Sequence, residues 1–318
     1  MLITAYNRAD QIERCVASVT NQNFEDFEIV VVDDASTDDT LAVLAGIDEP
    51  RLRVVEHERN RGISPARRTT VEHARGEWLV VLDSDWELLP HSLTRLRELI
   101  GTLAPGVRII RSRLEWDGGS VSPPVIPEGV ADYHARLAWL DRLAIAGGAS
   151  DAGHCIHRDA FTTGSYFHDG RGQFESLWET NLARREPSLW VDDVLGLEHV
   201  DAANSSTREA DASRAIPRML AEARDFRWQV EAMLSVHGDA LAREAPHYRR
   251  DLLERAALET FLTGDRRGGI RHTRDAVRAG ATGVGVLGTL VFGVLGPRVL
   301  ARVKLQGRRV KARRRGGA

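Results

Sequence analysis

Asp83-Ser84-Asp85 puts two carboxylates one residue apart, directly behind the apolar run Trp78-Leu79-Val80-Val81-Leu82. Side chains of a strand alternate between its faces, so positions i and i+2 point the same way as a pair of hard oxygen donors. Such a pair can hold one divalent cation, or share it with a sugar hydroxyl. The plain alternative is an acidic turn that caps the next helix, since Asp-rich turns are common. A second pair, Asp33-Asp34, closes the run from Phe27 to Val32. His154 and His157 stand three residues apart and invite a metal, but no neighbouring ligand completes a site, and the pair reads as structural or pocket-lining.

A sheet must position these groups. Met1-Leu2-Ile3-Thr4 reads as the end of a strand, and Ile12, Cys15, Val16 and Val19 fall on one face of a helix that ends near Gln22-Asn23. Phe27 to Val32 is apolar at nearly every position and reads as a strand buried on both sides. Ala35-Ser36-Thr37-Asp38-Asp39-Thr40 then opens a helix with N-cap chemistry. Arg51 to Glu56 is a third strand, Ser64 to Ala74 a third helix and Trp78 to Leu82 a fourth strand. Strand and helix alternating at this spacing predict an α/β fold with a doubly wound, mainly parallel sheet, whose strand ends present ligands.

Composition bounds the function. The 318 residues are 42% hydrophobic and 28% charged, which describes a globular chain with ample core. A net charge of −3 does not suggest a nucleic-acid binder, although from Arg298 onward the basic residues meet no acid. Cys15 and Cys155 lie far apart without a ligand partner at useful spacing and read as buried thiols of a reducing compartment. The first residues already read as a strand end, so no signal peptide is expected.

Four segments carry a family resemblance. Thr4-Ala5-Tyr6-Asn7-Arg8, Ile29-Val30-Val31-Val32-Asp33-Asp34-Ala35-Ser36-Thr37-Asp38, Asn60-Arg61-Gly62-Ile63-Ser64, and Gly76-Glu77 leading into Asp83-Ser84-Asp85 resemble, in that order, the family 2 glycosyltransferases of the GT-A fold. The resemblance covers about the first ninety residues. It implies a nucleotide-diphosphate-sugar donor, a Mn²⁺ or Mg²⁺ ion, and inversion at the anomeric carbon. It places Thr4 and Tyr6 beside the nucleotide base, with Asp34 accepting from the base edge, Asp83 reaching the ribose or the metal, and Asp85 ligating the metal. Arg67 and Arg68 become candidates to touch the diphosphate or the base, against a reading as solvated helix arginines. The chain departs from the pattern at Trp86, where many relatives carry a third acid, and at its start, where only Met1-Leu2-Ile3 precede Thr4. Either the first strand is short, which would cost stability and leave the chemistry unchanged, or the start of the sequence lies too far downstream.

Further along, Val107 to Arg111 reads as a strand, Pro123, Pro124 and Pro127 break a loop, and Tyr133 to Ala144 reads as a helix. The segment from Gly147 to Phe161 resembles the family's acceptor entrance. Trp178-Glu179 resembles the helix-opening acid pair whose second member is the general base, with Trp178 in place of the first acid and a longer glutamate in place of the second. An acceptor hydroxyl is a poor nucleophile while protonated, so Glu179 would take its proton. Glu175, one helical turn earlier, is the runner-up, and first-turn charges favoured by the helix dipole are the structural alternative. His199 matches a position at which many such enzymes keep a metal-binding histidine.

Beyond Asp201 the resemblance fades. Residues from Ser213 to about Phe261 read as two amphipathic helices, with Met219, Leu220, Phe226, Val230 and Met233 on a buried face. From Ala279 to Pro297 no residue is charged, and the basic tail follows at once, which suggests a helix in a membrane interface with its arginines on anionic headgroups. The expected organisation is a nucleotide-sugar-binding half (1–105), an acceptor-binding half (106–205), a helical extension (206–275) and an apolar segment with a basic tail (276–318). The expected function is metal-assisted, inverting transfer to a hydroxyl of a glycan, a lipid-linked glycan or a cell-envelope polymer at the inner face of a membrane. Two rivals stand beside it. One is a non-catalytic, membrane-associated binding protein on the same fold. The other, a sugar-phosphate nucleotidyltransferase, would want a glycine-rich basic loop where Thr4-Ala5-Tyr6-Asn7 offers none.

Overall fold

The computed structural model describes residues 1–116, 119–146, 152–161, 175–199, 212–282 and 284–315, with side chains described in these stretches except at 175, 212–214, 284 and 307–315. The chain runs β1 (Leu2–Ala5), α1 (Ile12–Thr20), β2 (Ile29–Asp33), α2 (Thr40–Ala45), β3 (Leu52–Glu56), α3 (Ile63–His73), β4 (Trp78–Asp83), β5 (Trp86–Leu88), α4 (Ser92–Gly101), β6 (Ile109–Trp116), β7 (Ser120–Ser122) and β8 (Val130–Ala131). It continues α5 (Tyr133–Ala146), β9 (Gly153–His157), α6 (Arg158–Phe161), α7 (Glu175–Ala183), β10 (Ser188–Glu198), α8 (Ala212–Glu244), α9 (Pro246–Leu262), α10 (Arg266–Arg278), α11 (Val284–Leu295) and α12 (Pro297–Arg315). Two compact units result, Met1–Arg171 with Trp178–Ser205, and Gly172–Leu177 with Ser206–Ala318.

The first unit is built on one sheet in the order β3-β2-β1-β4-β9-β6-β10-β5, with β7 on β6 and β8 on β10. The strands β3, β2, β1 and β4 are all parallel. Beyond them the sheet is mixed, because β9 runs antiparallel between β4 and β6. Alternation sorts the strand residues onto two layers. Ile3, Ala5, Ile29, Val31 and Leu82 join Ile12, Cys15, Val16 and Val19 of α1 in one core, while Leu2, Val30, Leu79 and Val81 pack with Val71, Phe161 and Trp178 in the other. Each of the fully buried Ile and Val side chains contributes about 1.5–3 kcal/mol by leaving water. β1 is only four residues long, yet it pairs on both sides, and its short length is made good by these two neighbours.

Register decides where the carboxylates go. Thr4 pairs with Val32 and with Asp83, and Ala5 pairs with Asp33. Parallel strands that end level therefore bring Tyr6, Asp34 and the Asp83-Ser84-Asp85 turn to one sheet edge, although they are far apart in sequence.

The second unit is helical. α8 and α9 are the two helices expected here, but only α8 is amphipathic, with Val230 and Met233 fully buried; the chain breaks at Ala245 before Pro246, and α9 shows no separate apolar and polar faces. Phe261 is fully buried, and a Cβ on either Gly269 of α10 or Gly293 of α11 would run into its ring. Glycine at both positions lets α10 and α11 close on α9. Gly296, at φ +126°, takes the turn between α11 and α12, a backbone conformation that other residues rarely adopt. Among the described residues, no helix is long and apolar enough to cross a membrane.

Candidate active site

Asp34 is buried and fully engaged. Its Oδ1 lies 2.7 Å from His57 Nδ1, and both oxygens accept from the Arg61 N–H at 2.9 and 3.1 Å, while Oδ2 accepts from the Gly62 N–H at 2.7 Å. Gly62 caps α3 at φ +94°, a conformation that leaves its N–H free to turn toward Asp34 and that a side chain would strain. His57 Nε2 faces Thr69 Oγ1 at 3.0 Å, so one imidazole ties the end of β3 to α3. Asp33, also fully buried, accepts from Ser36 N–H at 2.8 Å and from the Ser36 hydroxyl at 2.5 Å. Asn7 joins the loops after β1 and β2, since its N–H donates to Ser36 Oγ at 2.9 Å and its Oδ1 accepts from Thr37 N–H at 2.7 Å. Thr4 sits half-buried in β1, and Tyr6, just past it, is 43% exposed, open enough for a planar ring to stack on it.

At the neighbouring strand end, Arg67 is buried and donates through Nη2 to Asp83 Oδ1 at 2.6 Å. Its charge is thus spent on holding Asp83, and any contact with a diphosphate would have to be shared with that pair. Arg68, one residue on, is half-buried. Asp85 is half-buried beside Asp83; burial first and the Asp83 charge second push its carboxyl up to about 6, against the weaker pull of Arg8 and Arg67. His199 arrives by the pairing of β10 with β5. Its N–H donates to the Asp85 carbonyl at 3.0 Å, and its Nε2 lies 2.5 Å from Glu87 Oε1, which also meets Arg14 at 3.1 Å.

The carboxylates Asp83 and Asp85 fit a hard divalent cation. They offer oxygen only, and their mutual repulsion is what a positive ion between them would relieve. Among the described residues no group of three His, Cys, Asp or Glu side chains is placed to hold a metal, so further ligands would come from diphosphate oxygens and water, as Mg²⁺ commonly accepts.

Glu179, expected from the sequence as the base, is engaged on both carboxylate oxygens. Its carboxylate is buried, with Oε1 at 2.5 Å from Arg111 Nη1 and Oε2 at 2.5 Å from Arg136 Nη2, and all three side chains are 5% exposed or less. Burial alone raises this carboxyl, but the Arg111 and Arg136 charges, with His154, outweigh it and hold the group well below the usual carboxylate range. A carboxylate so stabilised has little affinity for a proton. The Glu175 side chain lies outside the described residues. His154 Nδ1 accepts from Arg111 Nη1 at 2.8 Å, and burial followed by the Arg111 charge pushes His154 down to about 3. A neutral ring with its proton on Nε2, 3.4 Å from Glu179 Oε1, completes the cluster. His157 lies apart, edge-on to Trp78 and 3.2 Å from Glu77, so the two histidines share no site.

His57, Arg111 and Arg136 were not singled out from the sequence. They occur outside any motif, and their partners are 23, 68 and 43 residues away. Both cysteines are buried, and burial raises each thiol, Cys155 to about 12, which fits inert core thiols.

A half-parallel sheet of this strand order, with Asp34 and Asp83-Ser84-Asp85 at level strand ends, is the GT-A glycosyltransferase fold. The family model described as Glycosyl transferase family 2 matches residues 1–117, the stretch that carries the four motifs. The succinoglycan biosynthesis protein ExoO of Rhizobium meliloti is 44% identical over 97 residues, 30% of this chain and 28% of that protein. The UDP-Glc:alpha-D-GlcNAc-diphosphoundecaprenol beta-1,3-glucosyltransferase WfaP of Escherichia coli is 34% identical over 85 residues, 27% of this chain and 34% of that protein. These matches thus span about a third of the relatives' lengths or less. In fold, the chain is similar to S. aureus TarS 1–349 in complex with UDP-GlcNAc, with a TM-score of 0.55 at 18% identity, over 87% of this chain and 89% of that one. The mannosyltransferase PcManGT from Pyrobaculum calidifontis, in complex with GDP-Man and Mn²⁺, gives a TM-score of 0.53 at 19% identity, over 96% and 85%.

Proposed function

We propose that this protein transfers a sugar from a nucleotide-diphosphate donor to a hydroxyl of a glycan, a lipid-linked glycan or a cell-envelope polymer, with inversion, at the inner face of a membrane. The observation that carries the reading is the level alignment of Tyr6, Asp34 and Asp83-Ser84-Asp85 at one sheet edge. Tyr6 offers an exposed ring for the base. The Asp34 carboxylate fixes the Arg61-Gly62 turn and so shapes the base pocket, and any base contact is added to bonds it already makes. Asp83, oriented by Arg67, and Asp85 would hold a Mn²⁺ or Mg²⁺ ion with the diphosphate. When bound, that ion neutralises the charge of the leaving diphosphate. His199 steadies the turn through its backbone N–H to the Asp85 carbonyl, while its ring is engaged with Glu87.

Support for the donor class comes from the structural neighbours, described with UDP-GlcNAc and GDP-Man. Support for a lipid-linked acceptor and a membrane setting comes from WfaP, named for a diphosphoundecaprenol substrate. Membrane contact falls to the C-terminal segment. Glu179, the expected proton acceptor, is bound on both oxygens, which argues against that role.

The test is nucleoside diphosphate release from UDP-, GDP- and dTDP-sugars, with Mn²⁺ or Mg²⁺ and membrane extract as acceptor source. The wild type should release diphosphate from one donor only when metal is present, and Asp85→Ala should lose about 10²-fold or more. Donor binding without turnover under every acceptor supply would replace this reading with the non-catalytic one.

A further inference from the structure

We infer that the outer face of α11, continued by the first turns of α12, is a docking face for an anionic lipid bilayer. The face gives the proposed membrane contact its residues, and it rests on that reading for the leaflet it meets. α11 carries no charge and no side chain more polar than Thr289. One side of it is used inside the protein, where Gly293 closes on Phe261, and Leu290 and Phe292 pack on the cluster of Phe261, Leu262, Leu300 and Ala301. The other side is bare. Leu287 and Leu295 are 61% exposed, Val291 47% and Val294 41%. At 3.6 residues per turn these four fall within an arc of about 100°, so they form one stripe. A helix on a water-facing surface normally shows polar residues on that side.

Charge identifies the occupant. Past the Gly296 turn come exposed Arg298, Val299 and Arg302. From Arg298 to Arg315 there are nine Lys and Arg, and from Ala279 to the end there is no Asp or Glu. Lys304 is already held 3.5 Å from Glu259, so the charge presented beside the stripe is that of the exposed Arg298 and Arg302. A second copy of this chain seated on the stripe would bring a second acid-free basic segment beside the first, and like charges would oppose it. An anionic bilayer offers acyl chains to the stripe and headgroups to the arginines. The twelve residues of α11 measure about 18 Å at 1.5 Å per residue, well short of the ~30 Å of a hydrocarbon core, so the helix lies in the interface and does not span it.

The test is flotation of the full chain with vesicles of phosphatidylcholine alone and with one quarter phosphatidylglycerol, at 50 and 500 mM NaCl. The wild type should bind the anionic vesicles at least tenfold more tightly than the neutral ones, with the difference shrinking at high salt. Leu287→Ser with Leu295→Ser, and separately Arg298→Glu with Arg302→Glu, should each lose tenfold or more while melting like the wild type. Vesicle binding equal to wild type in both double variants overturns the inference, as does failure of the wild type to bind either vesicle. So does concentration-dependent self-association in sedimentation velocity that the Leu287→Ser and Leu295→Ser pair abolishes. Transfer to a water-soluble acceptor is measured in parallel and should be unchanged in these variants. Vesicle binding without any transfer would overturn the proposed reaction and leave the docking face standing.

Discussion

At the scale of single residues, the group that most changes the functional reading is Glu179. A carboxylate between two buried guanidinium groups is a structural keystone, because removing its charge leaves Arg111 and Arg136 buried without compensation. Glu179→Gln should therefore lose about 3–5 kcal/mol of stability, read from chemical denaturation. If the variant instead folds with wild-type stability and only its turnover is lost, Glu179 regains the role of base. His154 supplies a pH test. Its folded value of about 3 lies below the ordinary 6.5, so the unfolded chain binds more protons between those limits, and its contribution to stability is lost as pH falls from 6.5 toward 3. Asp85 acts with the opposite sign, because its raised carboxyl makes stability fall as pH rises from 3.8 through about 6. The measurement is therefore a difference: the melting temperatures of wild type and His154→Asn should converge as pH drops through this window, with the wild type favoured at neutral pH.

At the scale of elements, two kinds of information differed in how far sequence exposed them. The alternation of β1 through β4 with α1 and α3 was legible from the apolar pattern of each element, although no N-cap side chain bonds α1, α2 or α3. The carboxylates at the ends of β2 and β4 were legible as strand-end groups, and the register of β1 with both strands brings them to one edge. What the sequence could not show was the buried ion-pair cluster. Arg111 on β6, Arg136 on α5 and Glu179 on α7 read singly as ordinary charges, and only tertiary packing aligns them. The antiparallel β9 was hidden for the same reason, because strand direction in a sheet is a property of the chain's return path. Within α11, glycines with different surroundings make a controlled pair. Gly293→Ala forces a methyl into the Phe261 ring and should lower stability by about 1–3 kcal/mol, whereas Gly285→Ala meets nothing within 4 Å and should raise it by roughly 0.5 kcal/mol. Denaturant midpoints of the two variants would lie on opposite sides of the wild type.

At the scale of the molecule, the family match and the helical unit divide the work. Residues 1–117 carry the family match and most of the expected donor-binding residues, while the unit from Ser206 onward has no motif of its own. The apolar face of α8 could be read from the spacing of Val230 and Met233, and the uncharged segment from its composition. The exposure of one stripe on that segment could not, because apolar residues in sequence do not reveal which of them a neighbouring helix will cover. Divalent-ion removal probes the first unit alone: chelation should stop transfer while leaving vesicle binding intact.

The Phe261 ring, with Gly269 and Gly293 drawn up against it, has almost no free volume around it. Rotation of that ring by half a turn requires the helices α10 and α11 to part from α9, so its rate reports how often the second unit breathes. In a spectrum of the protein labelled at phenylalanine, the two edges of Phe261 should give separate proton lines near room temperature. They should merge only on warming, or sooner when Gly269 and Gly293 are no longer held in place.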